Sequence, residues 1–304
     1  MYCVVVKEEA KIKSSIGSVL MVLTSGTLLG TAGTAVALAP EGASITSLGV
    51  ARVGIGGLIL ILLLPLFGGQ RRNLARVARL PGVWVMALST AAFQPLFFGA
   101  TTRTGVALST VLTIGTMPLF TGLIGRTLFS ERFKRMWMIA TSLAVTGLVL
   151  RSWEQLESID FGGVVMALGA GFATGCYVNG AKYELNRGGH AVELPAVAYS
   201  LSAVLLLPLV VGDSFTWITT GAGLLTAIYL GAISMALANT LQVVGLKRLS
   251  PGPTATLLLA DPLTATILGI WILDEAITPL GVFGLIIVAV GLVLQGLAEH
   301  RTSS

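Results

Sequence analysis

Charge is what this sequence has least of. Only 11% of its residues are Asp, Glu, Lys or Arg, against about a quarter in an ordinary soluble domain. Hydrophobic residues make up 54% and the mean hydropathy is +0.88, more apolar surface than a soluble fold of this size can hide. Cysteine is nearly missing: Cys3 and Cys176 stand far apart in unlike surroundings, which argues against a disulfide framework and a thiolate metal site. Histidine is as scarce, and His190 and His300 fall in a loop and a tail, so neither serves as a proton relay within an apolar segment. A Walker-type phosphate loop is lacking too, so ATP is not expected to drive a process from within this chain. No metal and no cofactor are expected. The net charge of +5 does not point to nucleic acid, because the basic residues are parcelled into short segments between apolar runs.

Those apolar runs set the organisation. A membrane span needs roughly 20 mostly apolar residues, since the hydrocarbon layer is about 30 Å thick and a helix rises 1.5 Å per residue. Helices satisfy every backbone N–H and C=O within lipid. On that basis the chain divides into ten expected spans, at 14–38, 43–67, 81–101, 104–128, 135–152, 160–183, 191–212, 219–246, 250–273 and 278–298. The third and fourth are separated only by the stretch around Arg103. The first imitates a secretory signal, with Lys11, Lys13 and Ala37-Leu38-Ala39, but its apolar run is longer than the usual 7–15 residues, and it is expected to be retained.

Loop charges test the count. With the N-terminus in the cytoplasm, the inner segments collect Lys7, Lys11, Lys13, Arg71, Arg72, Arg76, Arg79, Arg126, Arg132, Lys134, Arg135, Lys182, Arg187, Lys247, Arg248 and Arg301, leaving only Arg103 and Arg151 outside and Arg52 within a span. That bias follows the positive-inside rule only when the number and alternation of spans are right. It predicts a multi-pass protein of the cytoplasmic membrane with both termini inside. Trp84, Trp137, Trp153, Trp217 and Trp271 all fall at expected helix ends, as an interfacial aromatic belt would require.

The chain also repeats itself. A shift of 144 residues carries Pro118, Gly125, Glu131 and Gly147 onto Pro262, Gly269, Glu275 and Gly291. A shift of 145 carries Gly26 and Gly30 onto Gly171 and Gly175. Because each copy has five helices, an odd number, the second enters the membrane upside down. The expectation is an all-α integral membrane protein of two inverted-topology repeats, 1–152 and 153–304. The loop after the fourth helix carries Glu131 among Arg132, Lys134 and Arg135, whereas its counterpart keeps Glu275 and loses every base, as a loop facing the other side would. Inverted repeats of this type belong to secondary transporters, whose halves rock about a site near the bilayer midplane.

The stretches Pro118–Gly147 and Pro262–Gly291, with Asp261-Pro262, Glu131, Glu275 and Arg52, resemble the drug/metabolite transporter superfamily, in particular its ten-helix EamA-like exporters. The resemblance covers nearly the whole chain. Asp261 stands where that family more often has Glu. It implies that helices 1, 3 and 4 with 6, 8 and 9 line a central cavity and that helices 5 and 10 lie at the periphery. It also implies outward transport of amino acids, other metabolites or drugs.

Several residues are candidates for the site. Asp261 lies near the middle of the ninth span beside Pro262, and a carboxylate at bilayer depth by default marks a substrate or ion site. It could bind an ammonium, carry a proton, or merely satisfy groups at the kink; Met117 takes its place in the first repeat. Asn239, Gln94 and Asn179 are amides within spans, able to orient a zwitterion or to join helices. Asn239 lies opposite the Gln94–Pro95 step of the first repeat. Phe93, Phe97, Phe172 and Tyr177 are candidate walls for an apolar side chain, with ordinary packing as the alternative. Gly26, Gly30, Gly171 and Gly175 are expected to let helices approach closely, and Pro118 and Pro262 to bend them. Arg52 is expected to snorkel outward or to pair with Glu41 or a carboxylate of the other repeat, and Glu131 and Glu275 to organise helix ends. The function expected is alternating-access export of a small metabolite, an amino acid first. Efflux of cationic drugs and metabolite uptake are the alternatives, and protons are a candidate coupling ion. Monomer and homodimer are both compatible with the sequence. An intramembrane enzyme would need paired groups at membrane depth, and a channel would need rings of repeated charge; neither pattern occurs.

Overall fold

The computed structural model describes residues 2–131, 133–153 and 160–301. Arg132 lies outside the described residues, as do the side chains of Cys3, Lys7, Lys11, Lys13 and Arg301. Among the described residues there is no β-strand. The long helices are α1 (Tyr2–Ala37), α2 (Ile45–Phe67), α5 (Arg135–Ser152), α6 (Phe161–Asn186), α7 (Glu193–Val210), α8 (Gly221–Leu246), α9 (Pro251–Ile272) and α10 (Pro279–Arg301). A further continuous stretch, Pro81–Phe129, is 49 residues long and breaks at Gly105, whose φ of 79° and ψ of 162° suit only glycine. It therefore forms two helices, α3 (81–104) and α4 (106–129), and the hinge falls two residues beyond Arg103. Among the described residues, eight stretches are long and apolar enough to cross a membrane, Pro81–Phe129 being one of them. With that stretch divided and α5 added, ten helices match the ten expected spans. The main departure is α1, whose helix begins at Tyr2.

Local chemistry sets the ends. Ser44, Asp160 and Thr220 cap α2, α6 and α8, their side-chain oxygens accepting the amides of Ser47, Gly163 and Gly223. Pro81, Pro251 and Pro279 occupy the first turns of α3, α9 and α10, where a missing N–H costs nothing.

The packing exchanges the first helix of each half. From the first half, α1 lies against α8 and α9. A Cβ on Gly26 would stand 3.0–3.3 Å from Ala260, the Leu258 carbonyl and the Asp261 nitrogen, and one on Gly30 would stand 2.3 Å from the Asp261 carbonyl. From the second half, α6 lies against α3 and α4 in the same manner. Gly171 would meet Thr116 and the Thr113 carbonyl, and Gly175 would meet the Thr121 nitrogen. These contacts map onto one another under the repeat shift. The remaining helices pair across the same pseudo-twofold axis. Gly147 of α5 abuts the Gly284 carbonyl and Val288 of α10, while Gly291 of α10 abuts the Ala140 carbonyl and Ala144 of α5. Gly57 of α2 lies against Tyr199 and Ser200 of α7. In lipid there is no hydrophobic force between helices, so close packing of small residues carries their association.

Two tryptophans depart from the expected belt. Trp84, Trp153 and Trp271 are exposed, Trp271 at 82%. Trp137 and Trp217 are buried at 7% and 3%, because each indole N–H finds an internal hydroxyl, Thr256 Oγ1 at 3.1 Å and Ser47 Oγ at 3.0 Å. They lock α5 to α9 and the α7–α8 loop to α2.

A matched pair of substitutions tests the exchange. Gly30→Val forces a branched side chain into the Asp261 backbone and is expected to destabilise the protein by about 3 kcal/mol or more. Gly33→Val, on the same helix with nothing within 4 Å of its Cβ position, should stay within about 0.5 kcal/mol. Thermal unfolding in detergent, followed by size-exclusion recovery, compares the two.

Candidate functional site

The centre is built around a break in α9. The helix stops at Leu257 and resumes at Ala260, with Leu258 and Leu259 near ψ −12° and −1°. Here the backbone tightens: Leu259 N–H donates to Thr256 O at 3.1 Å and Asp261 N–H to Leu258 O at 3.0 Å. Pro262 explains the break, since it has no N–H to give Leu258 and its ring crowds that carbonyl. Asp261 thereby stands in the first turn of a new half-helix, where the macrodipole favours a carboxylate. It remains partly exposed although α1 crosses its backbone through Gly26 and Gly30. In the first half, Pro118 is buried within an unbroken α4.

Arg52 approaches from α2. Gly49 of that helix faces Gln94 and Phe98 of α3, and Gly56 faces Met235 and Gly231 of α8. Arg52 is three residues after the first and four before the second, so it shares their inward face. It lies within electrostatic reach of Asp261 and of Tyr199 on α7. No ion pair joins Arg52 to Asp261 within 4.0 Å. The Nε of Arg52 is buried without a hydrogen-bond partner. Glu41, the other carboxylate considered for Arg52, is exposed.

Tyr199 links Arg52 to Tyr177, and other candidates lie on the neighbouring helices α3 and α8. Tyr177 and Tyr199 stack with ring planes 2° apart and join their hydroxyls. Phe93 and Phe97, one turn apart, stack at 5.4 Å. Gln94 Oε1 packs on Gly49. Asn239 donates to Met235 O at 2.9 Å. The turn before Asn239 is a π-helix, Leu230–Leu237, a wide geometry that often accompanies functional sites.

Two candidates lie elsewhere. Phe172 is 49% exposed and packs edge-to-face on Phe120. Five residues from Tyr177, it points about 140° away, sharing the outer face of α6 with exposed Phe161 and Val165. It is thus not brought together with Tyr177. Asn179 gives its amide hydrogens to Thr121 O at 3.0 Å and Gly175 O at 2.8 Å, which makes it a tie between α6 and α4.

Residues the sequence did not single out also contribute. Tyr199 closes the centre from α7, and its one available signal was a tyrosine isolated within an apolar span. Lys182 donates to the carbonyls of Leu246 and Leu249 at 2.9 Å, satisfying the orphan groups at the end of α8. Glu184 accepts the Gly82 N–H at 2.8 Å at the start of α3. Both fasten the basic end of the bundle. The acids of the repeat motif occupy equivalent turns. Ser130 and Asp274 each have φ of 54°, and the next residue folds back, so that Glu131 lies over Gly125 and Glu275 over Gly269. Burial raises the Glu131 carboxyl above its ordinary range, partly offset by a hydrogen bond from Ser250 and the charges of Lys182 and Lys134. Beside it, Phe133, Trp137 and Glu299 help to line a cavity of about 190 Å³.

A broken helix with a carboxylate at its mid-span end, held between two inverted repeats, is the architecture of a secondary transporter. The chain belongs to the EamA-like transporter family, whose model matches it twice, at residues 16–153 and 161–296. It is similar to the uncharacterized transporter YwfM of Bacillus subtilis, with 35% identity over 283 residues, 93% of this chain and 94% of that relative. It is also similar to the threonine/homoserine exporter RhtA of Escherichia coli strain K12, 29% identical over 66% of this chain and 70% of that one. The RhtA of Salmonella typhimurium strain LT2 matches at 29% over 77% and 76%. A solved crystal structure superposes with a TM-score of 0.79 at 18% identity, covering 94% of this chain and 99% of that chain, which establishes the shared fold. The protein is a multi-pass membrane transporter.

Glu131 generates a pH prediction. Its folded-state pKa is raised, so its contribution to stability is complete below the ordinary glutamate range and is lost as pH rises through the raised value. The melting temperature of the wild type in detergent should therefore fall relative to Glu131→Gln as pH rises above the ordinary glutamate range, about pH 4. Parallel profiles for the two proteins would remove Glu131 as the source.

Proposed function

We propose that the protein exports a small amino acid or a closely related metabolite across the cytoplasmic membrane by alternating access, with both termini in the cytoplasm. The observation that carries the reading is the placement of Asp261 at the broken turn of α9, opposite Arg52 and between the two halves. Likeness to relatives named as threonine/homoserine exporters supports an amino acid as cargo. The stacked Phe93 and Phe97 and the paired Tyr177 and Tyr199 supply apolar surface with few polar groups, as small-molecule sites do. Rocking of the halves would turn on the glycine contacts of α1 and α6, while Lys182 and Glu184 hold helix ends at the basic face. That face carries Arg71, Arg72, Arg76, Arg79, Lys182, Lys247 and Arg248, which supports its cytoplasmic orientation.

Cells overproducing the protein, and matched cells with Asp261→Asn, should be challenged with toxic amino-acid analogues and cationic dyes. The expected outcome is resistance to one amino-acid class with faster release of that compound, reduced at least about tenfold by Asp261→Asn, as removal of a charge-assisted contact would give. Dye resistance would redirect the proposal to cationic drug efflux, and faster accumulation would reverse its direction. In a background lacking Cys3 and Cys176, Gly42→Cys should react with an impermeant maleimide in intact cells and Gly188→Cys only after lysis. The opposite pattern would invert the orientation.

A further inference from the structure

We infer that the transport site is dipolar: Asp261 on α9 and Arg52 on α2 bracket one zwitterion, the carboxylate receiving its ammonium and the guanidinium its carboxylate. The inference rests on the transporter reading above and deepens it to a chemical class of ligand with a residue for each end.

Three observations lead to it. The first is a gap. Arg52 and Asp261 come from different halves, face the same interior and lie within electrostatic reach, yet no ion pair closes between them within 4.0 Å. Opposite charges at membrane depth normally pair directly, because each is costly alone. A bound group that contacts both would complete the pair, and an α-amino acid carries its two charges about one hydrogen-bond length apart.

The second is an unused donor. A guanidinium presents five N–H donors in a planar fork, and Nε of Arg52 is buried with no partner. Buried donors without acceptors are rare and call for a cause. A carboxylate docking on Nε and the adjacent terminal nitrogen would satisfy it bidentately. Gly49 and Gly56 flank Arg52 on its helix face and contact α3 and α8 directly, so that face of α2 points into the bundle.

The third is charge balance. Arg52 and an ionised Asp261 together are neutral, so a zwitterion leaves the centre neutral. A cationic dye or an anionic acid would leave one charge uncompensated in a medium that screens poorly. Tyr199, which lies near Arg52, offers apolar surface for a short side chain.

The test uses the full chain in proteoliposomes, with counterflow of labelled L-threonine competed by unlabelled probes. L-Threonine and L-homoserine carry both charges, 1-aminopropan-2-ol lacks the carboxylate, and 3-hydroxybutyrate lacks the ammonium. In the wild type, each one-charge probe should compete at least about tenfold less well than the amino acids, the loss expected for one charge-assisted contact. Arg52→Gln should erase the preference for L-threonine over the amine while keeping that over the acid, and Asp261→Asn should do the reverse. Arg52→Lys keeps the charge without the fork and should give an intermediate preference. Should Arg52→Gln not fold, the wild-type panel and Arg52→Lys still decide the matter. Equal competition by the one-charge probes in an active wild type overturns the dipolar site while leaving the exporter standing. So does an equal loss for all probes in both variants. Wild-type vesicles that move no amino acid overturn both.

Discussion

The constraint on which this structure depends is the approach of one helix backbone to another where no side chain intervenes. At Gly26 and Gly30, α1 touches the main chain of α9, and at Gly171 and Gly175, α6 touches that of α4. A single Cβ at Gly30 would stand 2.3 Å from the Asp261 carbonyl, well inside van der Waals contact. Each half is thus completed by a helix borrowed from the other. The broken turn of α9 is held in place by a helix of the first repeat, so the position of Asp261 is a property of the whole assembly and of neither repeat alone.

Within that shared frame, the two halves differ where chemistry is concentrated. Pro118 lies in an unbroken helix, whereas Pro262 stands beside a break. Met117 occupies the place of Asp261. The α8 helix widens into a π-turn over Leu230–Leu237 where its counterpart α3 stays regular. The matching parts, by contrast, are scaffold: the left-handed residues Ser130 and Asp274, the acids folded over Gly125 and Gly269, and the reciprocal glycine contacts of α5 and α10. Duplication supplied two equal frames, and the asymmetric positions carry the polar centre.

Much of the architecture was legible because lipid imposes simple rules. Span length, loop charge and the spacing of repeated Pro, Glu and Gly led to ten helices and a doubled fold, and the break near Arg103 fell within two residues of Gly105. The centre was less legible. Asp261 stood out as a lone acid in an apolar run, but Arg52 could be placed only on its helix, since which carboxylate it faces depends on packing between halves. Phe172 and Tyr177 looked equivalent as aromatics five residues apart; helix rotation sends one outward and the other to the core. Asn179 and Asn239 looked alike for the same reason, and only the geometry separates a tie between helices from a residue beside the polar centre. Trp137 and Trp217 shared the positions of interfacial tryptophans, yet each had a hydroxyl partner in the other half that no local pattern announces. Where apolar surface faces both lipid and protein, periodicity loses its power to tell inside from outside.

The exchange of first helices has a consequence for synthesis. Translation delivers α1 long before its partners α8 and α9 exist, some two hundred residues later in the chain. At about 5–20 residues per second that interval is on the order of tens of seconds, during which Gly26, Gly30 and buried Ser25 have no native neighbours. The first half therefore cannot finish folding while it is being made. It must wait in the bilayer, unpaired along one face, until the last third of the chain arrives.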